Sequence, residues 1–277
     1  MAVAGLTHAD WFERVPGLVE ACRAEWGLAL GEPYPSGAGG YVVPAELPSG
    51  EAAVLKLVFP HRESEHEADA LELLGGEGAV GLLARDDERS ALLIERCEPG
   101  TPLSAAGSET ALDVLVALLP RLWRPAGEPF HTLVDEATWW VSYLEPKWED
   151  AGRPYERRLL DAALEALTTL PSTQGELVLV SQDLHGNNVL AAGREPWLAI
   201  DPKPLLAERE FAIAPIVRSR ELGHSRREAL YRLDRLTSEL GLDRERARGW
   251  TVGQTIAWTS GPHAASHLDT VRWLLDA

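Results

Sequence analysis

The sequence predicts an α+β protein of two lobes: a small β-rich N-terminal lobe over residues 1–97 and a larger, mainly helical C-terminal lobe over 98–277. Three observations carry that expectation. After a single helix, strand-length apolar runs separated by turn residues fill the first hundred positions. From Glu109 onward, apolar residues recur at helical spacing instead. Between the two textures lies Cys97-Glu98-Pro99-Gly100-Thr101-Pro102, rich in chain-breaking residues.

Residues 9–26 place Trp11, Val15, Leu18, Val19, Cys22 and Trp26 on one helical face. The run from Pro33 to Gly40 follows as a loop. Tyr41-Val42-Val43-Pro44 reads as a strand. Pro48-Ser49-Gly50-Glu51 turns the chain back into 52–59, an apolar strand with Lys56 in its middle. Residues 61–74 predict a charged helix stopped by Gly75-Gly76. Short strands at 80–84 and 91–95 flank the turn 85–89. Beyond the boundary, 109–123, 135–148 and 156–170 predict helices. Strands at 176–180 and 197–200 interrupt them, with the polar loop 181–188 and a return strand opened by Val189-Leu190 between. Residues 210–220, 226–240, 244–260 and 264–275 complete the helical set. No internal repeat and no low-complexity tract occurs.

Composition narrows the functional classes. A chain of 277 residues has length for about two folding units. Apolar residues make up 45% and charged residues 25%, which argues against disorder, collagen and a disulfide mini-scaffold. No apolar run reaches the roughly 18 residues that a membrane span requires. Acids outnumber bases 43 to 26, for a net charge of −17. So acidic a chain repels nucleic acid and anionic membrane and attracts cations, although solubility alone is a sufficient reason for the charge. Cys22 and Cys97 lack metal-site spacing, so no zinc is expected. Two lone thiols suit a reducing cytoplasm, and the opening MAVAGLTHADWFERV lacks the pattern of a signal peptide.

The most informative stretch is Ser181-Gln182-Asp183-Leu184-His185-Gly186-Asn187-Asn188, entered by an apolar strand and left by Val189-Leu190. Asp201 follows the later apolar run Trp197-Leu198-Ala199-Ile200. Asp183, Asn188 and Asp201 are thus oxygen-bearing side chains at strand ends. Magnesium on a nucleotide takes a few hard oxygen ligands from protein. Phosphoryl transfer also needs a carboxylate to accept the proton of the incoming hydroxyl. An Asp, an Asn five residues on, and an Asp after another strand is the order found in kinase catalytic loops. Turn chemistry is the plainer reading of the loop by itself. Lys56 weighs against it. An ammonium inside an apolar strand is costly to bury unless paired, or else it snorkels from an edge strand. In a kinase such a lysine grips phosphates and pairs with a helix glutamate. The next helix offers Glu67, the better placed, and Glu63.

With these residues in view, the chain resembles the aminoglycoside phosphotransferases, in the branch of streptomycin 6-kinases and hydroxyurea phosphotransferases. Ala53-Val54-Leu55-Lys56-Leu57, Leu92-Leu93-Ile94-Glu95-Arg96, the Asp183 loop, Glu195 to Pro202 and Arg246-Ala247-Arg248-Gly249-Trp250-Thr251 carry the likeness. The anchors span about residues 36 to 258. The resemblance implies a bilobal protein-kinase-like fold with ATP in the cleft. It makes Asp183 the catalytic base, Asn188 and Asp201 the magnesium ligands, and Lys56, supported by Glu67, the phosphate-binding residue. The backbone from Glu95 to Cys97 becomes the adenine-binding hinge. The loop with Ser36, Gly37, Gly39 and Gly40 becomes the phosphate cover.

Three departures stand out. Ser181-Gln182 replaces the His-Gly or His-Trp that usually precedes the base. Ala212 replaces an aspartate expected to anchor the second lobe. The late segment Trp258 to His263 lacks the acids that streptomycin-type kinases place there. Glu208, Glu210 and Asp269 are then candidate partners for a cationic substrate, with Trp258 as a stacking wall; solvated helix faces and a core tryptophan are the plainer readings. His185 is expected to support the loop. The expectation is a cytoplasmic, monomeric, ATP- and magnesium-dependent kinase for streptomycin or a related aminocyclitol, with no nucleic-acid or membrane partner. A kinase of another amino sugar or metabolite, and a nucleotide-binding pseudokinase, are the alternatives.

Overall fold

The computed structural model describes residues 7–35 and 40–277. The chain divides into two compact units. One comprises the residues up to Thr101 together with Leu190–Lys203; the other comprises Pro102–Val189 and Pro204–Ala277.

The first unit opens with α1 (His8–Trp26), capped by the Thr7 hydroxyl, which accepts the Asp10 N–H at 3.2 Å. Its strands are β1 (Ala29–Leu30), β2 (Gly40–Glu46), β3 (Ala52–Val58), β4 (Leu82–Asp86) and β5 (Ala91–Glu95). They form an antiparallel sheet of order β1-β2-β3-β5-β4. Alternation along β3 sends Leu55 and Leu57 into a core with Trp11, Val15, Val43 and Leu93. It leaves Lys56 on the opposite face, in register with Val42 and Leu92.

The helix expected over 61–74 breaks in two. Arg62–Ser64 is a 3-10 turn, and α2 (Glu67–Leu74) begins only after it. The Ser64 hydroxyl donates to the carbonyls of Phe59 and His61, at 3.0 Å each, and so competes with helical hydrogen bonding. The break makes Glu67 the first residue of α2.

The expected boundary, with all of 98–277 in the second lobe, is also corrected. Here β7 (Val189–Ala191) and β8 (Trp197–Ala199) form a two-stranded sheet, and Leu190–Lys203 belongs to the first unit. Hydrogen bonds explain why. Val80 N–H donates to the Ala199 carbonyl at 3.0 Å and Ala199 N–H to that of Gly78 at 2.9 Å. Arg194 reaches the Glu95 carboxylate at 2.8 Å and the Ala79 carbonyl at 3.0 Å. Val80 is thus engaged outside the main sheet, which is why β4 starts later than the sequence suggests.

The second unit is largely helical: α3 (Ser108–Leu122), α4 (Leu133–Asp150), α5 (Arg157–Thr169), α6 (Ala214–Val217), α7 (Arg226–Leu240), α8 (Arg244–Ala257) and α9 (Ala264–Leu275). The helix expected over 210–220 is instead a 3-10 turn, Arg209–Ile213, followed by the short α6. Pro215 sits at the start of α6, where its missing N–H costs nothing. The sequence reading missed β9 (Pro204–Ala207), which pairs antiparallel with β6 (Val178–Ser181). Helix α8 is buried continuously from Trp250 to Ala257, the signature of a central core helix. A Cβ on Gly253 would come within 2.8 Å of Leu167 in α5, so glycine permits that close packing. No helix among the described residues is long and apolar enough to cross a membrane.

Candidate active site

The first unit gathers three charges at one point. Lys56 on β3 donates to Glu67 Oε1 at 2.5 Å and to Asp201 Oδ1, two residues beyond β8, at 2.5 Å. Lys56 is 7% exposed and Glu67 2%, so Lys56 is a paired, enclosed ammonium and not a snorkelling one. Burial alone would favour the neutral amine, but the two carboxylates outweigh it and raise the lysine pKa. Burial pushes Glu67 up to about 7 against the pull of Lys56. Burial also opposes ionisation of Asp201, yet Lys56 and Lys203 hold it below the usual carboxylate range. Asp201 is therefore the more firmly ionised partner. Its backbone lies at φ +52, a left-handed conformation that costs a non-glycine residue roughly 1–3 kcal/mol. Glu63, the other candidate for Lys56, faces Lys203 at 3.8 Å.

The second unit holds the loop between β6 and β7. Asn188 Nδ2 donates to the Asp183 carbonyl at 2.9 Å, and Asn188 N–H to that of His185 at 2.9 Å. The Ser181 hydroxyl accepts the Asp183 N–H at 3.3 Å. Ser104 fixes the loop from outside: its N–H donates to the Gly186 carbonyl at 3.0 Å and its hydroxyl to Asn187 Oδ1 at 2.5 Å. Gln182 is buried, and its carbonyl accepts from Gln254 Nε2 of α8 at 2.9 Å. The unusual Ser181-Gln182 pair thus has its own support. His185 Nδ1 pairs with Glu221 Oε1 at 2.7 Å, while its Nε2 lies 3.9 Å from Asp183 Oδ1. Burial works against the Glu221 carboxylate, but the hydrogen bond and charge of His185 bring its pKa down to about 2.

The remaining candidates divide. Ser36, Gly37 and Gly39 lie outside the described residues. Gly40 opens β2, and a Cβ there would sit 2.4 Å from the Leu57 carbonyl oxygen. Strand packing thus accounts for that glycine. The Glu95 N–H donates to the Gly81 carbonyl at 2.8 Å. The Glu95 carboxylate, favoured by Arg194 and the Gly81 N–H despite burial, fastens the 190–203 segment. Burial and the nearby Glu95 push the Cys97 thiol up to about 11, so it stays protonated.

Glu208 is corrected outright as a substrate partner. It is 2% exposed and accepts from Arg246 at 2.6 Å, from the Gly175 N–H at 3.0 Å and from the Trp250 indole. Glu210 accepts the Asp243 N–H at 3.3 Å, at the start of α8, and so serves the fold. Asp269 pairs with Arg272 at 2.9 Å and lies 3.7 Å from His224 on the half-exposed face of α9. Trp258 stacks on the Arg218 guanidinium, 4.9 Å from its ring centroid.

Residues 26–265 match the family described as aminoglycoside/hydroxyurea antibiotic resistance kinase. The chain belongs to that family. It is 38% identical over 259 residues to a hydroxyurea phosphotransferase of Kitasatospora aureofaciens, covering 91% of this chain and 74% of that one. It is 36% identical over 253 residues to a streptomycin 6-kinase of Streptomyces griseus, covering 89% and 82%. Among solved structures it resembles the choline kinase LicA from Streptococcus pneumoniae, with TM-score 0.67 and 14% identity over 98% of this chain and 100% of that one. It also resembles aminoglycoside phosphotransferase APH(4)-Ia, solved with ADP and hygromycin B, with TM-score 0.60 and 13% identity over 93% and 95%. The expected protein-kinase-like fold is therefore the fold of this resistance-family kinase.

Sequence reasoning missed several residues that build the kinase's second unit. Arg218, at the C-terminal end of α6, places Nη2 3.8 Å from Asp183 Oδ1 and donates from Nη1 to Gln254 Oε1 at 2.5 Å. His267 is held neutral: burial and then Arg218 bring its pKa down to about 4. Glu221, Gln254 and Arg232 belong to the same set. None lies within 30 residues of Asp183 in the chain, so no local motif announces them.

Proposed function

We propose that this kinase transfers the γ-phosphoryl group of ATP to a hydroxyl of streptomycin or a related aminocyclitol. The observation that carries the reading is the buried Lys56–Glu67–Asp201 cluster, found in one chain with the Asp183–Asn188 loop. Lys56 is a fixed cation for the nucleotide phosphates, with Glu67 orienting it. The backbone at Cys97 is the proposed adenine contact. Asp183 accepts the proton of the acceptor hydroxyl as its oxygen bonds to phosphorus; the bond to the bridging oxygen breaks and ADP leaves.

The chemistry of these donors suits magnesium: Asp201 would offer an ionised carboxylate, and Asn188, anchored through Nδ2, would offer its amide oxygen. When bound, magnesium would neutralise charge on the phosphates. The net charge of −17 is compatible with a cationic acceptor, and a cytoplasmic, monomeric enzyme is part of the proposal. A second acceptor class is favoured by one observation. The guanidinium of Arg218 and the Trp258 ring lie on the Asp183 side, which suits a neutral hydroxyl compound such as hydroxyurea.

A coupled ADP-release assay tests the reading, with ATP, magnesium and a panel of streptomycin, other aminoglycosides, hydroxyurea and simple amino sugars. Streptomycin-dependent ADP release is expected, reduced about 10²-fold or more in Asp183→Ala. Release with hydroxyurea alone selects the second class. Silence across the panel contradicts both.

A further inference from the structure

We infer that the turn after α6, through Arg218 and Glu221, positions the Asp183 carboxylate from two sides, with Arg218 as the principal positioning residue. The inference rests on the reading of Asp183 as the base. Arg218 is 7% exposed, and a guanidinium that deep needs a reason to be there. Two of its contacts lead toward the loop. Nη1 donates to Gln254 Oε1 at 2.5 Å, and Gln254 Nε2 holds the Gln182 carbonyl, one residue before Asp183, at 2.9 Å. Nη2 lies 3.8 Å from Asp183 Oδ1, and the guanidinium face packs on Trp258. A planar guanidinium stacked on a ring and tied at one edge has little freedom left. From the other side, Glu221 holds His185, whose Nε2 is 3.9 Å from the same Oδ1.

The turn itself is clamped. Arg232, 3% exposed, donates to the carbonyls of Val217, Leu222 and Gly223 at 2.9–3.0 Å. Burial and then the offset from Glu228 and Glu221 leave that guanidinium less basic, at about 10, yet still charged at neutral pH. One buried arginine thus fixes the segment that carries both positioning side chains. Arg218 Nη2 and His185 Nε2 stand 3.8 and 3.9 Å from Asp183 Oδ1. The orientation of Asp183 is set by groups around it.

The test is steady-state kinetics on Arg218→Met, Arg218→Ala and Arg218→Lys, with melting curves for each. In Arg218→Met, kcat is expected to fall about 10-fold to 100-fold, with the KM for ATP within about twofold of wild type. Arg218→Lys is expected to keep an intermediate rate. Millimolar guanidinium ion is expected to restore part of the rate of Arg218→Ala without changing its KM for ATP. A folded Arg218→Met with wild-type kcat overturns the inference, as does a loss seen only in KM. If Arg218→Met fails to fold, Arg218→Lys and guanidinium rescue decide: a rate as low as that of Arg218→Ala, with no rescue, overturns it. A wild type inactive on every acceptor removes the reading of Asp183 and this inference with it. An active wild type beside an equally active Arg218→Met removes the inference alone.

Discussion

Lys56 and Asp183 sit in opposite kinds of environment. Lys56 is buried and hydrogen-bonded to two carboxylates at 2.5 Å. Asp183 lies on a loop that is fixed mainly through its backbone, and the charged groups flanking its carboxylate are 3.8 and 3.9 Å away. A residue that grips phosphate needs a fixed charge in a fixed place, and burial between two acids supplies it. A residue that takes a proton from a changing acceptor needs a carboxylate held in direction. Stability and turnover should therefore depend on the two regions in opposite ways.

The largest expected contrast is in stability. Glu67→Ala leaves Lys56 buried with only Asp201, and removing one partner of a buried pair costs about 3–5 kcal/mol. Asp183→Ala should cost less stability than Glu67→Ala, while slowing turnover at least about 10²-fold. Chemical denaturation of the two variants measures both. Equal losses would break the contrast.

A smaller effect sharpens the second region. Glu208→Gln removes the charge that faces Arg246, the Trp250 indole and the Gly175 N–H, and should lower stability by about 2–3 kcal/mol. Acceptor KM should stay within about twofold in the folded variant. A raised acceptor KM at unchanged stability would return Glu208 to the substrate site.

The smallest effect is one of pH. The pKa of Glu221 drops from 4.5 to about 2 on folding, because the hydrogen bond and charge of His185 outweigh burial. Its stabilisation is thus complete above pH 4.5 and is lost as pH falls toward 2. After allowance for solvent, that is about 1–2 kcal/mol. Between those pH values the wild type should lose that much more stability than Glu221→Gln. Parallel acid-denaturation curves would show that the His185–Glu221 pair contributes nothing.

The same contrast explains what the sequence disclosed. Lys56 stood out because a lone charge in an apolar strand demands a partner, and Glu67 and Asp201 lay in recognisable segments. Asp183 and Asn188 share one loop, so their spacing was legible. Arg218, Glu221 and Gln254 reach that loop from helices and turns far along the chain. An arginine or glutamine in a polar stretch looks solvated until the fold encloses it. Glu208 was misread for the same reason. It follows β9, whose short Pro-Leu-Leu-Ala run carried too little pattern to announce a strand, and so its burial was hidden. The break before α2 escaped notice because Ser64 disrupts a helix through two hydrogen bonds that spacing cannot reveal.

Calorimetric titration of ATP with magnesium into wild type, Lys56→Met and Asp183→Ala, alongside their turnover, tests the division of labour most directly. Asp183→Ala is expected to bind ATP within about twofold of wild type but to turn over at least about 10²-fold more slowly. Lys56→Met is expected to lose both binding and turnover. Wild-type ATP affinity in Lys56→Met, or lost affinity in Asp183→Ala, would contradict that division.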